Sequence, residues 1–170
     1  MQQVVIVLAD TTEQTEKNEE FIELIQAADM EIRKTFIQNL KSITLKTYIG
    51  IGKCEEIREY VQEQKPERIV FNHDLSPLQI RNLEDILQTP VMDRTELILA
   101  IFESRAVTRI ARLQIECAQL KKLLPRLVGA NTQLGRQSGS GKNRGAGEKQ
   151  LELDRRRINA RIQELQRELK

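Results

Sequence analysis

The stretch Gly129-Ala-Asn-Thr-Gln-Leu-Gly-Arg-Gln-Ser-Gly-Ser-Gly-Lys-Asn-Arg-Gly-Ala-Gly-Glu-Lys149 holds six glycines, two serines, four basic side chains and one acid. No hydrophobic pattern runs through it. A loop of about 20 residues is uncommon inside a compact domain and is usually functional or disordered. The segments on either side are strongly periodic. Ile110, Leu113, Cys117, Leu120, Leu124 and Leu127 are spaced as a heptad seam. Leu151, Ile158, Ile162, Leu165 and Leu169 repeat the pattern, with Arg155 interrupting it. Two matching seams joined by one loop predict a long antiparallel helical hairpin with an irregular Gly-rich tip over about 128–148. Its arms would reach roughly 30–35 Å at about 1.5 Å per residue. Pro125 has no N–H to donate and biases Leu124 away from helix, so the first arm is expected to kink or end near Lys122 to Leu124.

Upstream the period changes. Val4 to Leu8 is a continuous apolar run, as in a strand buried on both faces. Phe21, Ile22, Leu24, Ile25 and Ala28 follow at helical spacing, and Glu31 to Leu40 contains a second strand. Gly50 and Gly52 break the chain before a helix from about Cys54 to Gln64; Arg68 to Phe71 is a third strand and Pro90 to Met92 a short fourth. Between the last two, Ser76, Pro77 and Gln79 spell an N-cap, a first-turn proline and a capping box. Strands alternating with helices predict an α/β fold: a small, largely parallel sheet of about four strands flanked by helices. The expected domains are residues 1–104 and residues 105–170.

Charge divides at the same place. Residues 1–104 carry 11 Lys/Arg against 19 Asp/Glu, a net of −8; residues 105–170 carry 16 against 6, a net of +10. An acidic α/β domain followed by a basic helical arm points to a polyanion as the arm's partner. A solvated basic coiled coil is the plainer alternative. No apolar run approaches the roughly 20 residues of a membrane span. Cys54 and Cys117 sit in no paired spacing and His73 is the single histidine, which fits a reducing cytoplasm and gives neither a disulfide framework nor a zinc site.

The candidate chemistry narrows quickly. Gly135 to Asn143 imitates a phosphate-binding loop, but five residues separate Gly135 from the Gly141-Lys142 pair where four are needed, and Asn143 stands in place of the magnesium-binding hydroxyl. Gly50 and Gly52 read as a tight strand-to-helix turn, with Glu55 where a dinucleotide fingerprint needs its third glycine. His73 beside Asp74 lacks a nearby nucleophile and reads as a loop histidine. No catalytic residue and no metal site stands out, so nothing in the residues argues for an enzyme.

The basic tip is different. Arg136, Lys142, Arg144 and Lys149 alternate with glycines, Gly145 and Gly147 among them, that allow close backbone approach, and Arg155, Arg156 and Arg157 follow. Such residues neutralise phosphates and release counterions, a salt-sensitive and largely sequence-independent interaction. All six aromatics (Phe21, Phe36, Tyr48, Tyr60, Phe71 and Phe102) precede the arm, which disfavours base stacking and favours folded RNA read by shape and phosphate. A protein–protein or self-association module built on the coiled-coil arm is the alternative.

An ordered series of motifs resembles the N-terminal region of HflX-type ribosome-associated GTPases. It runs through Tyr48-Ile-Gly-Ile-Gly-Lys-Cys-Glu-Glu-Ile57, Asp74-Leu-Ser-Pro-Leu-Gln-Ile-Arg-Asn-Leu-Glu84 and Asp93-Arg-Thr-Glu-Leu-Ile-Leu99. It continues through Arg105-Ala-Val-Thr108, Leu113-Gln-Ile-Glu116, Ala118-Gln-Leu120 and Leu124-Pro-Arg-Leu127 to Arg144-Gly-Ala-Gly-Glu148 and Leu151-Glu-Leu-Asp-Arg-Arg156. Ala146 replaces a proline usual in that family, Lys149 and Leu153 replace threonines, and Ile110 stands where an acid is common. The resemblance implies an α/β domain with a helical hairpin whose tip enters the large ribosomal subunit near the peptidyl-transferase centre. It implies a downstream G domain that would supply GTP and Mg2+ binding, and a cytoplasmic role in GTP-dependent ribosome splitting and rescue. None of the GTPase motifs occurs in these 170 residues, so this chain alone is not expected to be an enzyme. Ending at Lys170 within a periodic helix, it is expected to be a truncated chain or gene fragment.

Overall fold

The run Val4 to Ala9 is buried throughout because its strand, β1 (Gln2–Asp10), is paired on both sides. The computed structural model describes residues 1–11, 16–127 and 149–170 in full, and residues 15, 128–137 and 141–148 by their helical backbone alone. In it β1 lies between β2 (Met30–Asn39) and β3 (Arg68–Phe71), and β4 (Val91–Met92) closes the far edge. The order is β2-β1-β3-β4 and every pairing is parallel. A register shift opposite Val4/Val5 leaves Arg33 of β2 without a partner residue on β1, as in a β-bulge.

Parallel strands need crossovers, and three helices supply them, α1 (Thr15–Ala27), α2 (Ile51–Gln64) and α3 (Pro77–Leu87), with α4 (Arg94–Arg105) following the last strand. The two-residue period of β1 sorts them onto two faces. Val5, Val7 and Ala9 join Ile57 and Val61 of α2 and Ile80, Leu83 and Leu87 of α3 in one cluster. Val4, Ile6 and Leu8 join Phe21 and Ile25 of α1 and Leu97 and Ile101 of α4 in the other. A one-residue slip of β1 would exchange the two sets, so its register is fixed by burial on both sides.

Local signals behave as their chemistry dictates. The Gln79 N–H donates to Ser76 Oγ at 3.1 Å and the Ser76 N–H to Gln79 Oε1 at 2.9 Å, a complete capping box. Helix α2 starts at Ile51, three residues before the expected Cys54, with Gly50 as an N-cap that has no side-chain partner. Both α2 and α3 end on left-handed residues that are not glycine, Lys65 (φ 46°) and Gln88 (φ 52°).

The chain divides into two compact units, Met1–Ser104 and Arg105–Lys170. The second consists of α5 (Arg109–Gln137) and α6 (Gly141–Glu168). Two expectations are corrected here. Helix α5 does not end near Lys122 to Leu124 but continues through Pro125. A proline removes one backbone hydrogen bond at a cost of about 3 kcal/mol or more; on its N-terminal side Leu113, Leu120 and Leu124 pack with Cys117, Ile162 and Leu165, and elongating a helix already held there adds one bond per residue. The backbone over 128–137 and 141–148 is likewise helical rather than irregular. Each glycine costs about 1 kcal/mol relative to alanine, but Ala130, Gln133, Leu134, Arg136, Lys142, Ala146 and Glu148 between them are good helix formers, and extending an existing helix adds one bond per residue. Helix α5 thus has 29 residues, roughly 43 Å at 1.5 Å per residue, longer than the expected arm. Among the described residues, no helix is long and apolar enough to cross a membrane.

Candidate nucleic-acid interface

The seam between α5 and α6 decides which side chains of the basic unit face outward. Cys117, Ile162 and Leu165 are buried, and Leu113, Leu120, Leu124 and Ile158 pack against them. Polar contacts flank the seam. Arg161 grips Glu116 with both edges of a fork, Nε to Oε1 at 2.8 Å and Nη2 to Oε2 at 3.0 Å, and its Nη1 lies 3.1 Å from Glu164. Arg109 Nη2 reaches Glu168 at 3.0 Å. The hydrogen bond from Arg161 holds the Glu116 carboxyl below its usual range, and the same bond, with that to Glu164, raises Arg161 further. Arg161 is therefore committed to holding the two helices together.

Of the nine residues that the sequence assigns to RNA contact, four are described with their side chains: Lys149, Arg155, Arg156 and Arg157, all exposed. Arg136, Lys142, Arg144, Gly145 and Gly147 lie outside the described residues beyond their helical backbone. Lys149 and Arg156 stand seven positions apart on α6, hence on one helix face roughly 10.5 Å from each other along the axis. Arg155 and Arg157 diverge from Arg156 by about 100° to either side. The four cations therefore wrap around α6 instead of forming one flat patch, a geometry suited to a groove or strand that curves about the helix. Glu152 partners two of them: Arg155 Nε and Nη2 donate to it at 3.0 and 2.6 Å, and Arg156 Nε at 3.2 Å.

The imitation phosphate loop also fails on geometry. Helix α5 runs to Gln137 and α6 starts at Gly141, so a helix and not a strand leads into the glycines. Among the described residues, no strand precedes these glycines as it does in a strand–loop–helix cradle for nucleotide phosphates. Around Gly50 and Gly52, a Cβ on Gly52 would meet nothing within 4 Å, and one on Gly50 only the Gln38 amide at 3.4 Å. Neither glycine has a positive φ. That conformation falls on Tyr48 (φ 67°), whose backbone exchanges hydrogen bonds with Thr44.

The sequence reading missed one polar cluster. His73 pairs not with Asp74 but with Asp10 at the end of β1, Nε2 to Oδ1 at 2.6 Å. Asn72 donates to the same carboxylate at 3.3 and 3.4 Å and to Asn18 at 3.0 Å, and accepts the Ala9 N–H at 3.1 Å. Tyr48 stacks on the His73 ring, and burial followed by the nearby Asp10 charge pushes its phenol up. Asp74 instead bonds the Thr95 N–H and hydroxyl at the start of α4. A separation of more than 60 residues hides this cluster from motif reading; the signal was a polar residue ending each of two adjacent buried strands. Among the described residues, no three His, Cys, Asp or Glu side chains gather as a metal site.

Residues 15–103 match the family model described as GTP-binding GTPase N-terminal, and residues 105–170 the one described as GTP-binding GTPase middle region. The GTPase HflX of Lacrimispora saccharolytica is 44% identical over 171 residues, covering 99% of this chain and 40% of its own length. The GTPase HflX of Escherichia coli is 43% identical over 151 residues, covering 89% and 35%. The chain spans about 40% of the length of the curated relatives it matches. In fold it resembles a GTP-binding protein of Sulfolobus solfataricus solved with GDP, with a TM-score of 0.72, 24% identity, and coverage of 99% of this chain and 45% of that one.

Proposed function

The chain belongs to the HflX family of GTP-binding proteins, as an N-terminal region of it, and we propose that it is a ribosome-binding module that contacts large-subunit rRNA. Helices α5 and α6 form a long antiparallel hairpin in this reading. The observation that carries the reading is the exposed set Lys149, Arg155, Arg156 and Arg157 on a unit of net charge +10 that has no aromatic residue. Cations without stacking platforms suit phosphate and shape, and ribosomal RNA offers both. Arg136, Lys142, Arg144, Gly145 and Gly147 belong to the same contact in this reading.

The parent protein is a cytoplasmic GTPase acting in ribosome splitting and rescue. GTP and Mg2+ belong to a downstream G domain. The test is sedimentation of the 170-residue chain with purified large subunits at moderate salt. Alanine at Arg136, Lys142, Arg144 and Lys149 should remove the chain from the pellet, and unchanged pelleting would sink the reading.

A second reading, self-association or protein docking through the helical arm, draws on the exposure of Val107 (84%) and Ile110 (63%). A stable dimer in light scattering that ignores rRNA would favour it.

A further inference from the structure

The cations proposed to meet RNA are not equally available, because one carboxylate already occupies two of them. Glu152 Oε2 and Oε1 accept from Arg155 Nε and Nη2 at 3.0 and 2.6 Å, and Oε1 also accepts from Arg156 Nε at 3.2 Å. The Arg155 contact is a two-point fork using the guanidinium edge that grips a phosphate bidentately. All three side chains remain open to solvent, at 34% for Glu152, 44% for Arg155 and 73% for Arg156. The other acid on this stretch behaves differently: Asp154 accepts from the Gln150 amide at 3.1 Å. Glu152 is thus the acid that faces the arginine pair, and its carboxyl is held below the usual range by the Arg155 hydrogen bond first.

We propose that Glu152 is a built-in stand-in for phosphate, which keeps Arg155 and Arg156 paired until an RNA backbone displaces it and so sets the salt range over which this helix binds RNA. The inference rests on the RNA-contact reading above and names how that same site is regulated. An exposed pair one helical turn apart is weak and exchangeable, so it delays no encounter. Its effect is thermodynamic. Each arginine that leaves Glu152 for a phosphate exchanges one anion for another, and the net gain is the difference between the two. A free arginine would gain the whole contact. Weak or isolated phosphates then lose to Glu152, and a closely spaced array with the right geometry wins.

Glu152→Gln keeps shape and helix propensity and removes the charge. The 170-residue wild-type and variant chains are titrated with large-subunit rRNA from about 50 to about 200 mM salt. Asp154→Asn serves as the control, because it makes the same charge change on the same helix. Glu152→Gln should bind several-fold tighter at the low-salt end. The slope of log K against log salt should steepen by about 0.7–0.9 for each arginine released, and Asp154→Asn should leave the slope where it was. Adding Arg155→Ala and Arg156→Ala to Glu152→Gln should cancel the gain. Equal effects of Glu152→Gln and Asp154→Asn would overturn the proposal and leave general electrostatics in its place. Weaker binding by Glu152→Gln would overturn it too, making Glu152 a scaffold for the arginines. No binding by the wild-type chain would refute the RNA reading itself, and this inference with it.

Discussion

Leu165 is the buried centre of the contact between α5 and α6, with no exposure, in a cluster whose other buried members are Cys117 and Ile162. Truncation to alanine removes the transfer energy of the lost carbons and adds a term for the cavity they leave, together about 2–5 kcal/mol for a leucine. The surrounding Leu113, Leu120, Leu124 and Ile158 are only partly buried and can close on the gap, so the lower part of that range applies, about 2–3 kcal/mol. For a unit of 60–100 residues each kcal/mol moves the melting temperature by about 4–8 °C, so the second unit should melt about 10–20 °C lower. The molecule provides a way to watch one unit at a time. There is no tryptophan, and both tyrosines, Tyr48 and Tyr60, lie in the first unit. Tyrosine fluorescence therefore follows residues 1–104, while far-UV circular dichroism follows the helices of both units. Leu165→Ala should shift a dichroism transition and leave the tyrosine transition in place. A loss below about 1 kcal/mol would refute the small-core argument, since that is the range of a surface change, and a tyrosine transition that moves equally far would refute the independence of the two units.

Three further outcomes follow from particular residues. Asn72→Ala should destabilise the first unit by about 2–3 kcal/mol in urea unfolding, because it orphans the buried Ala9 N–H and strips amide donors from the Asp10 carboxylate. Lys65→Gly should raise the stability of the same unit by about 0.5–1 kcal/mol, since the helix-ending φ of 46° is one that glycine adopts without strain; a loss would show that the lysine side chain matters more than its backbone. The Arg161 hydrogen bond holds the Glu116 carboxyl below the usual glutamate range, so its contribution is complete above the pKa of the unfolded chain and is lost as pH falls through the lower folded one. Dichroism-monitored stability of the second unit should thus decline as pH falls below the usual glutamate range, about 4.3, and Glu116→Gln should remove its share of that decline.

Much of both units was legible because the signals are local. The β-branched run at Val4 to Leu8, the Ser76-Pro77 helix start and the heptads at Leu113 to Leu124 each carry their own physical reason within a few residues. What escaped was cooperative or distant. Pro125 and the glycines after Gly129 read as breaks, because a propensity taken residue by residue omits the ease of extending a helix that is already formed. Asp10, Asn72 and His73 form one network only after a parallel sheet has brought the ends of β1 and β3 side by side. His73 was read against its neighbour Asp74, while the fold gave it Asp10. Among the basic residues, sequence marked Arg155 and Arg156 as cations, but their capture by Glu152 depends on helical phase.

Binding of the second unit to RNA through phosphates, as proposed, shows directly in the salt dependence of that binding. Seven basic side chains are assigned to the contact: Arg136, Lys142, Arg144, Lys149, Arg155, Arg156 and Arg157. With about 0.7–0.9 counterions released per phosphate contact, full engagement gives a log K against log salt slope of about −5 to −6. With Arg155 and Arg156 held by Glu152, the wild-type chain should show about −3.5 to −4.5 on large-subunit rRNA, and lose about 0.7–0.9 from it for each alanine placed at Lys149 or Arg157. A slope near zero, or one indifferent to both substitutions, would contradict phosphate binding.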